Sequence, residues 1–507
     1  MIHKYIEKIL RAKVYDVAVE TPLDFAPSLS SRLENNVYLK REDLQPVFSF
    51  KLRGAYNKIA SLNESERSKG VIAASAGNHA QGVALSAKKL AINALIVMPK
   101  TTPEIKVKAV KAWGAKIVLF GDSYDDACKH AKEIAQEKGM TFVHPFDDPE
   151  VIAGQGTIAM EILRQNTGKI DAIFVPVGGG GLIAGIAAYV KFVRPETRVI
   201  GVEPDDADSL NRSLQAKRRV TIKQVGLFAD GVAVKQVGSE PYKLAQQTVD
   251  EVITVSTDEM CAAIKDIFDN TRSVAEPAGA LAVAGLKKYV EKYQIKQQTL
   301  IAIESGANVN FDRLGYIAER TLVGEHKEIL LAVTVPEKPG SFLKFCKALS
   351  KRNITEFNHR YFDKKMARVF VGISCSGKQA DRDALISQLE DKGFPVVDMT
   401  LNELAKDHIR YMVGGHAPKE LGERVYSIQF PERPGALLKF LTSLGSRWNI
   451  SMFHYRNHGA AFGKVLMGIQ IPDSEKKDFQ QRLDAVGFEY KEETENPAYI
   501  GFVGGSE

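Results

Sequence analysis

The stretch "DAIFVPVGGGGLIAGIA" (residues 171–187) runs from an apolar segment, Ile173–Val177, through the four glycines 178–181 into a run of small residues. A short apolar run that ends at glycine is typical of a buried strand, and the small residues after it are compatible with a helix. Glycines at such a turn let backbone N–H groups converge on an anion at a helix N-terminus. The stretch therefore predicts an α/β fold with a phosphate-binding turn at Gly178, Gly179, Gly180 and Gly181.

Short apolar strands alternate with helical patterns on both sides of this turn, up to about residue 320. The predicted strands include 71–75, 93–99, 115–121 and 198–204, with helical stretches such as 102–114 and 123–139 between them. This alternation predicts a mostly parallel sheet with helices on both faces. Because ligands of such sheets bind at the carboxyl ends of the strands, we expect the glycine turn to line the site.

A lysine in an apolar setting is the candidate nucleophile. Lys51 lies in "FSFKLRGA" (residues 48–55), where Phe48 and Phe50 are predicted to desolvate its amine and favour the neutral form that attacks carbonyls. A lone lysine is usually a solvated side chain at the end of an element. The "SAGNHAQG" loop (residues 75–82) and the glycine turn are what make an enzyme the better interpretation.

Composition sets the outer limits. The 507 residues, 44% hydrophobic and 26% charged, suffice for two or more domains with their own cores. The 68 basic and 62 acidic residues are interleaved, which does not favour nucleic acid as a partner. The 4 cysteines lack CxxC spacing, so neither a disulfide framework nor a thiolate metal site is predicted. With no apolar run of membrane-spanning length and no signal-peptide pattern, we expect a cytoplasmic protein.

The last third of the chain contains an internal repeat. After a charged stretch at 319–328, interpreted as a linker, residues 330–360 align with residues 424–456. Both copies show a strand, a Pro-Gly helix start, an amphipathic helix and an Asn-Ile strand start. Each copy continues with a strand, a charged helix and a short strand. The repeat predicts two ferredoxin-like β-α-β-β-α-β units.

Five motifs carry a family resemblance. In chain order they are "FSFKLRGA", "SAGNHAQG", "VPVGGGGL", "EPAGA" (276–280) and "SGANVN" (305–310). Together with the duplicated tail, they resemble the long-form biosynthetic threonine dehydratases, also called threonine ammonia-lyases. The resemblance covers essentially the whole chain. It implies an α/β fold-type II catalytic domain over 1–325, ACT-like regulatory subdomains over 326–405 and 421–507, and a linker over 406–420.

The resemblance also implies a reaction and its regulation. The cofactor is pyridoxal 5'-phosphate, and L-threonine is converted to 2-oxobutanoate and ammonia in the first step of isoleucine biosynthesis. Isoleucine is expected to inhibit, valine to oppose it, L-serine to be considered as a second substrate, and the assembly to be a homotetramer. The alternative within the class is another fold-type II β-eliminating enzyme such as serine dehydratase.

The cofactor contacts follow from the same resemblance. Lys51 is implied to hold the cofactor through its amine and then to take the α-proton from the substrate. The glycines 178–181 and Leu182 are implied to bind the phosphate, and Asn78 the phenolic oxygen of the ring. Ser305 is implied to face the ring nitrogen, where a hydroxyl supports less positive charge than a carboxylate does.

The remaining implied contacts concern the substrate carboxylate and the effector. Ser75, Gly77, Asn78 and His79 are implied to bind the carboxylate. Glu276 is interpreted as structural. Tyr455 in "FHYR" and His359 in "FNHR" are the candidate effector contacts, with histidine standing where the family usually has tyrosine.

A metal site is not predicted. Relatives of the serine racemase type bind a divalent ion with an acidic "EP" loop. The corresponding "EPDDADS" (203–209) keeps Glu203 and Ala207 but has Ser209 where an acidic ligand is expected.

Two other classes of protein are weighed against this one. The pattern Gly179-x-Gly181-x-x-Ala184, with Glu203 about twenty residues on, matches a dinucleotide-binding fingerprint. An oxidoreductase would leave Lys51 and Ser305 without a role. A catalytically inactive amino-acid sensor would have no use for the intact lysine.

Overall fold

A computed structural model describes residues 2–336, 341–349, 352, 354–359, 366–412, 423–431, 440, 443–444, 447–456 and 462–503 of the chain, which divides into two compact units, 1–317 and 318–507. The strands of the first unit are β1 (Leu23–Phe25), β2 (Asn36–Arg41), β3 (Val71–Ala74), β4 (Ala94–Met98), β5 (Lys116–Leu119), β6 (Thr141–Phe142), β7 (Ala172–Pro176), β8 (Arg198–Pro204), β9 (Glu251–Val255) and β10 (Thr299–Glu304). They form two sheets, in the order β1-β2-β10-β7-β8-β9 and β5-β4-β3-β6. Every strand pair is parallel except β1 with β2. The expected α/β fold with mostly parallel sheets is confirmed.

Helices connect these strands. They are α1 (Ile2–Leu10), α2 (Pro27–Leu33), α3 (Lys51–Ala60), α4 (Glu64–Lys69), α5 (Asn78–Lys89), α6 (Glu104–Ala112), α7 (Tyr124–Lys138), α8 (Pro149–Gln165), α9 (Gly181–Val193), α10 (Ser209–Gln215), α11 (Ser239–Thr248), α12 (Thr257–Thr271), α13 (Pro277–Tyr293) and α14 (Arg313–Gly324). The linker expected over 319–328 is wrong in its first half. Residues 319–324 belong to α14, and Val323 in this part of the helix is buried.

The central strand β7 shows why the decisive stretch folds as it does. All five of its residues are buried, which matches the continuous apolar run and a sheet covered on both faces. The chain then leaves the sheet at Val177 and enters α9 at Gly181. The carboxyl ends of β3, β7 and β10 lead directly into the "SAGNHAQG" loop, the glycine turn and Ser305. The glycine turn and Ser305 thus follow neighbouring strands of one sheet, and the "SAGNHAQG" loop follows a strand of the other sheet.

Helix α8 crosses two neighbouring helices at glycines. It begins at Pro149 after Asp148, whose carboxylate accepts the Glu150 backbone N–H at 2.8 Å. A Cβ on Gly154 would lie 2.7 Å from Gly54 Cα in α3. On the other side, a Cβ on Gly185 in α9 would lie 2.4 Å from the Ile152 carbonyl oxygen. The missing side chains allow α3 and α9 to approach α8 closely and present their N-termini to the same cavity.

A balanced group of charges is fully buried beneath α3. The Arg53 guanidinium donates to Glu42 at 2.8 Å and to Glu161 at 2.5 Å, and Lys40 Nζ lies 2.6 Å from Glu161. All four side chains are 0% exposed. Two cations and two carboxylates compensate one another where water cannot. This cluster fixes α3, which carries Lys51, relative to β2 and α8.

The second unit contains two antiparallel four-stranded sheets. Their strands are β11 (Glu328–Pro336), β12 (Ile354–His359), β13 (Met366–Ser374), β14 (Val396–Asp398), β15 (Glu423–Pro431), β16 (Asn449–Arg456), β17 (Phe462–Gln470) and β18 (Tyr490–Glu492). The described helices are α15 (Ser341–Leu349), α16 (Gln379–Asp391), α17 (Glu403–Asp407), α18 (Lys476–Val486) and α19 (Pro497–Phe502). The sheet orders, β12-β13-β11-β14 and β16-β17-β15-β18, are the same in both copies. This repetition matches the predicted ferredoxin-like pair. The first half of the expected linker 406–420 includes the end of α17.

The two effector candidates occupy equivalent backbone positions. His359 pairs with Val369 and Tyr455 pairs with Val465, each on the outer strand of its sheet. A register shift occurs at the same place in both strands, between Ile354 and Glu356 and between Ile450 and Met452. The side chains of His359 and Tyr455 lie outside the described residues. Within the described part of the chain, no helix is long and apolar enough to cross a membrane.

Candidate active site

One cavity in the first unit gathers residues from five separate motifs. It lies at the carboxyl ends of β7 and β10, where the sheet predicts a ligand site. Its lining residues are Phe50, Lys51, Asn78, Pro145, Phe146, Gln155, Pro176, Gly178, Gly179, Gly180, Gly181, Leu182, Gly231, Val232, Glu276, Ala278 and Ser305. The cavity combines a lysine amine, a turn of exposed backbone and several polar side chains within an apolar wall.

Lys51 is held at the first position of α3 by the loop before it. Phe50 N–H donates to the Ser305 carbonyl at 3.3 Å, and Ala307 N–H donates to the Phe48 carbonyl at 2.9 Å. Phe48 has a φ of 53°, a left-handed conformation unusual for a side chain of this size. Burial lowers the pKa of Lys51 to about 8, and the nearby Glu276 carboxylate opposes that change. A larger share of this amine is therefore neutral near physiological pH than of an ordinary lysine.

The glycine turn has no room for side chains. A Cβ on Gly179 would lie 2.1 Å from the Phe146 ring, and one on Gly178 would lie 2.8 Å from Val232 Cα. Gly180 has a φ of 88°, which favours glycine, and caps α9. Backbone N–H groups at the start of a helix attract anions. The turn fits a phosphate group held by the backbone.

Three polar side chains form a hydrogen-bonded chain beside Lys51. Asn78 Nδ2 donates to Glu276 Oε1 at 2.6 Å, and Asn308 Nδ2 donates to Asn78 Oδ1 at 2.7 Å. Asn308 also donates to the Val47 carbonyl at 2.8 Å, which fixes its orientation. These contacts determine which way the Asn78 amide points. One N–H of Asn78 is used by Glu276, and the other can serve a ligand.

Glu276 is the carboxylic acid of this cavity. Burial raises the pKa of Glu276 to about 7, the negative charge of Asp230 adds to the rise, and the hydrogen bond from Asn78 opposes it. Its backbone N–H donates to the Gly306 carbonyl at 3.1 Å, so the "EPAGA" and "SGANVN" motifs are joined directly. A carboxyl group with this pKa can hold or release a proton near neutral pH.

Ser305 directly follows β10 and lines the same cavity. It is buried, and its Oγ lies 3.3 Å from the Ala278 carbonyl oxygen, a suitable acceptor for its proton. Its neighbour in the strand, Glu304, is also buried, and burial raises the pKa of Glu304 to about 8. The hydroxyl offers a ring nitrogen a neutral partner instead of an ion.

The structure brings together the predicted residues Lys51, Asn78, Gly178, Gly179, Gly180, Gly181, Leu182 and Ser305. Ser75, Gly77 and His79 flank Asn78 in the chain, but they are not among the residues that line this cavity. The His79 ring lies within the core, where its Nε2 contacts the Val143 carbonyl at 2.8 Å. Burial lowers the pKa of His79 to about 3, so the ring is neutral.

Sequence reasoning gave no role to two residues at the site, Asn308 and Gln155. Glu276, which was interpreted as structural, lines the cavity and accepts a hydrogen bond from Asn78. Asn308 and Gln155 both stand inside short motifs with glycine, "SGAN" and "GQG", and a polar residue held between small ones could have signalled a contact with a ligand.

The first acidic residue of the "EPDDADS" loop, Glu203, binds backbone groups of the protein itself. The two oxygens of Glu203 accept the backbone N–H groups of Leu210 and Asn211 at 2.8 Å each. Burial raises the pKa of Glu203 to about 8. Glu203 thus binds the first turn of α10. Among the residues that the structure describes, no cluster of three or more His, Cys, Asp or Glu is arranged to hold a metal ion.

The cavity fits pyridoxal 5'-phosphate group by group. Its aldehyde requires an amine with a lowered pKa, which Lys51 provides, and its phosphate requires a turn without side chains, which the glycines provide. Residues 14–306 match the family described as "Pyridoxal-phosphate dependent enzyme". Residues 319–409 and 414–503 match the "C-terminal regulatory domain of Threonine dehydratase". The fold and the site thus define a pyridoxal-phosphate-dependent enzyme of fold-type II with a doubled regulatory tail.

Comparison with similar proteins identifies the family within this class of enzymes. It is 56% identical over 504 residues to "L-threonine dehydratase biosynthetic IlvA" of Burkholderia multivorans, covering 99% of both chains. It is 51% identical over 502 residues to the protein of that name from Escherichia coli, covering 99% of this chain and 97% of the other. The chain belongs to the biosynthetic threonine dehydratase family. This result excludes the dinucleotide-dependent oxidoreductase as the class of enzyme.

Solved structures resemble the catalytic unit. The processed form of threonine deaminase isoform 2 from Solanum lycopersicum is 50% identical, with a TM-score of 0.62, and the match covers 63% of this chain and 93% of that one. A serine racemase from maize is 31% identical, with a TM-score of 0.57, over 64% of this chain and 98% of that one. The fold-type II scaffold is therefore shared by enzymes with different reactions.

Proposed function

We propose that this enzyme converts L-threonine to 2-oxobutanoate and ammonia in the first step of isoleucine biosynthesis. The observation that carries the proposal is the cavity that joins the Lys51 amine, the glycine turn and Ser305 in a chain similar along its whole length to biosynthetic threonine dehydratases. The reaction is balanced. The β-hydroxyl leaves with a proton as water, and one water is consumed when nitrogen leaves as ammonia.

The residues have separate tasks in this reaction. When bound, pyridoxal phosphate supplies the carbonyl that joins the substrate amine and the conjugated ring that withdraws electrons from Cα. Lys51 takes the proton from Cα, since its lowered pKa leaves a neutral amine available. The amides of 178–181 hold the phosphate, and Asn78 binds the phenolic oxygen.

The polar ends of the substrate and cofactor are assigned to the remaining residues. Ser305 partners the ring nitrogen without a full charge. The backbone of 75–79 binds the substrate carboxylate. The position of this loop between the end of β3 and the start of α5 supports this assignment. An assay of 2-oxobutanoate formation from threonine, with serine tested as a second substrate, tests the proposed reaction. A higher kcat/KM for serine than for threonine would favour serine dehydratase instead.

Ser305→Asp is expected to slow threonine conversion by about tenfold or more, the change produced by roughly 1.4 kcal/mol in the barrier. An aspartate would add a charge that favours a protonated ring, and it would stand next to the buried Glu304. Ser305→Ala, which adds no charge, is the control. The visible spectrum of the bound cofactor should shift with pH in the aspartate variant. Unchanged spectra and rates would mean that residue 305 does not contact the ring.

For regulation, we propose isoleucine as an inhibitor and valine as its antagonist, acting through the second unit. The match of both halves of this unit to the regulatory domain of threonine dehydratase supports the proposal. An effector acts only when it binds two states of the protein unequally, so its site can be removed without removing catalysis. We also propose that the protein is cytoplasmic and that it forms a homotetramer. Light scattering of the purified protein would measure the mass of the assembly and test the number of subunits.

Tyr455→Ala is expected to raise the isoleucine concentration for half-inhibition by about tenfold, equal to a loss of roughly 1.4 kcal/mol of effector binding. Tyrosine can pack an aliphatic effector and bind its polar end. The uninhibited rate should be unchanged. His359→Tyr, at the equivalent register position of the first copy, should alter effector affinity or its pH dependence. An unchanged isoleucine titration in Tyr455→Ala would place the effector site elsewhere.

A further inference from the structure

Asn308 connects segments that are far apart in the chain. Its amide nitrogen donates to the Val47 carbonyl at 2.8 Å and to Asn78 Oδ1 at 2.7 Å, across 261 and 230 residues of sequence. Val47 lies in the loop before α3, and Asn78 is the first residue of α5. Asn78 lines the cavity, whereas Asn308 is not among the lining residues. An effect of Asn308 on the site must therefore pass through a residue that it contacts.

The Val47 carbonyl fixes the direction of the hydrogen bonds that follow it. A backbone carbonyl only accepts, so the end of Asn308 beside it is the amide nitrogen, which has one hydrogen for each of its two acceptors. The Asn78 atom that faces this nitrogen must also accept, which places Oδ1 there and Nδ2 on the other side. Asn78 Nδ2 then donates to Glu276 Oε1 at 2.6 Å. One backbone group thus determines that Asn78 presents its N–H groups, and not its oxygen, on the side of Glu276.

Glu276 by itself does not fix this direction. An ionised carboxylate only accepts, but a protonated one also donates and can bind an amide oxygen instead. Burial and a neighbouring carboxylate raise the pKa of Glu276 to about 7, although the hydrogen bond from Asn78 and two cations oppose the rise. The charged groups that face Glu276 are Asp230, Lys106, Arg313 and Lys51. Since both forms of the carboxyl group exist near neutral pH, a second partner is needed to keep Asn78 in one orientation.

The backbone before Asn308 is anchored at two points. The Gly306 carbonyl accepts the Glu276 backbone N–H at 3.1 Å, and the Ala307 N–H donates to the Phe48 carbonyl at 2.9 Å. A Cβ on Gly306 would lie 2.8 Å from Glu276 Oε1, so the glycine permits this close approach. These contacts fix the position from which the Asn308 amide donates.

We propose that Asn308 is a positioning residue that keeps the Asn78 amide in the orientation that donates to the phenolic oxygen of the cofactor. The inference rests on the proposed role of Asn78. The second Nδ2 hydrogen of Asn78 has no acceptor among the described residues, and Asn78 lines the cavity. A donor beside the phenolic oxygen favours its ionised form, whereas an amide oxygen there would favour the neutral phenol, which donates. Asn308 thus influences the protonation of the cofactor without touching it.

The test compares the absorption of the bound cofactor in the full-length enzyme, with occupancy measured after release of the cofactor in base. The ionised phenol absorbs in the visible range and the neutral phenol in the near ultraviolet. In Asn308→Asp, the carboxylate accepts from Asn78 Nδ2 and turns the amide round. The ratio of visible to near-ultraviolet absorbance should then fall by roughly two- to tenfold, the range that one hydrogen bond contributes.

Asn310→Asp is the matched control, because it adds the same charge to the same motif at a residue that does not line the cavity. It should keep the ratio of the wild type. Asn308→Leu removes the donor without adding a charge, so the Asn78 amide is free to follow the protonation of Glu276. In this variant the ratio should match the wild type well above pH 7 and fall as the pH drops through about 7, where Glu276 takes up its proton.

A double variant separates positioning from a general effect of charge or of disturbed packing. With Asn78→Ala in place, no amide is left to turn, so adding Asn308→Asp should not change the ratio further. An equal fall in the ratio with and without the Asn78 amide would overturn the proposal. An unchanged ratio in the folded Asn308 variants at full occupancy would also overturn it.

If Asn308→Asp does not fold, the pH dependence of Asn308→Leu decides. The ratio is read without threonine. Failure of the wild type to convert threonine would therefore refute the proposed function without altering this result.

Discussion

Lys51→Ala is expected to abolish threonine conversion, with a loss of at least about 10³-fold in kcat, because in the proposed mechanism one amine both joins the cofactor and removes the α-proton. The effect is large because the described cavity offers no second amine to take its place. The fold should persist, since Lys51 forms no ion pair with the described residues and its Nζ lies over the Phe50 ring, 5.2 Å from the centroid. Formation of 2-oxobutanoate and the melting temperature are the measurements.

Lys89→Ala is the matched control, since Lys89 is an exposed lysine at the end of α5. It should keep the activity of the wild type. Absorbance of the bound cofactor gives a second reading, because the Lys51→Ala protein should bind pyridoxal phosphate only reversibly. Steady turnover by a folded Lys51→Ala protein would assign the chemistry to another residue.

Arg53→Met is expected to destabilise the first unit by about 3–5 kcal/mol, the usual result of leaving buried charges without their partner. Arg53 donates to both Glu42 and Glu161, all fully buried, and Lys40 alone would remain to balance two carboxylates. Chemical denaturation followed by circular dichroism gives the free energy of unfolding. Because α3 carries Lys51 on one side and Arg53 on the other, cofactor affinity should fall as well.

The control for Arg53→Met is Arg11→Met. Arg11 pairs with Glu7 on the surface, where their side chains are 79% and 60% exposed. Exposed pairs of this kind contribute less than about 1 kcal/mol. If both variants lost the same small amount of stability, the buried cluster would not contribute the energy assigned to it.

The class of fold could be predicted because the strand, turn and helix patterns that indicate it each lie within a short segment of sequence. The apolar run of β7 predicts a buried strand, and the glycines after it predict a tight turn, each from a few consecutive residues. The tail repeat was likewise readable, since the two copies share spacing and turn residues. The linker expected over 319–328 was wrong in its first half, because the charged residue Arg320 lies within α14, where it is buried and paired with Glu403 and Asp407.

The sequence by itself determined the enzyme class, the lysine, the phosphate turn and the doubled tail, because each is a short pattern of residues with one backbone geometry. Only the tertiary structure decided the contacts between distant segments. Asn78 and Glu276 are 198 residues apart and Arg53 and Glu161 are 108 apart, yet both pairs are within hydrogen-bonding distance. It also showed that the His79 ring is buried in the core and that Gln155 Oε1 is buried without a hydrogen bond to any described residue. Such pairings depend on which strands become neighbours in the sheet and how closely helices cross, and no local pattern of residues encodes either.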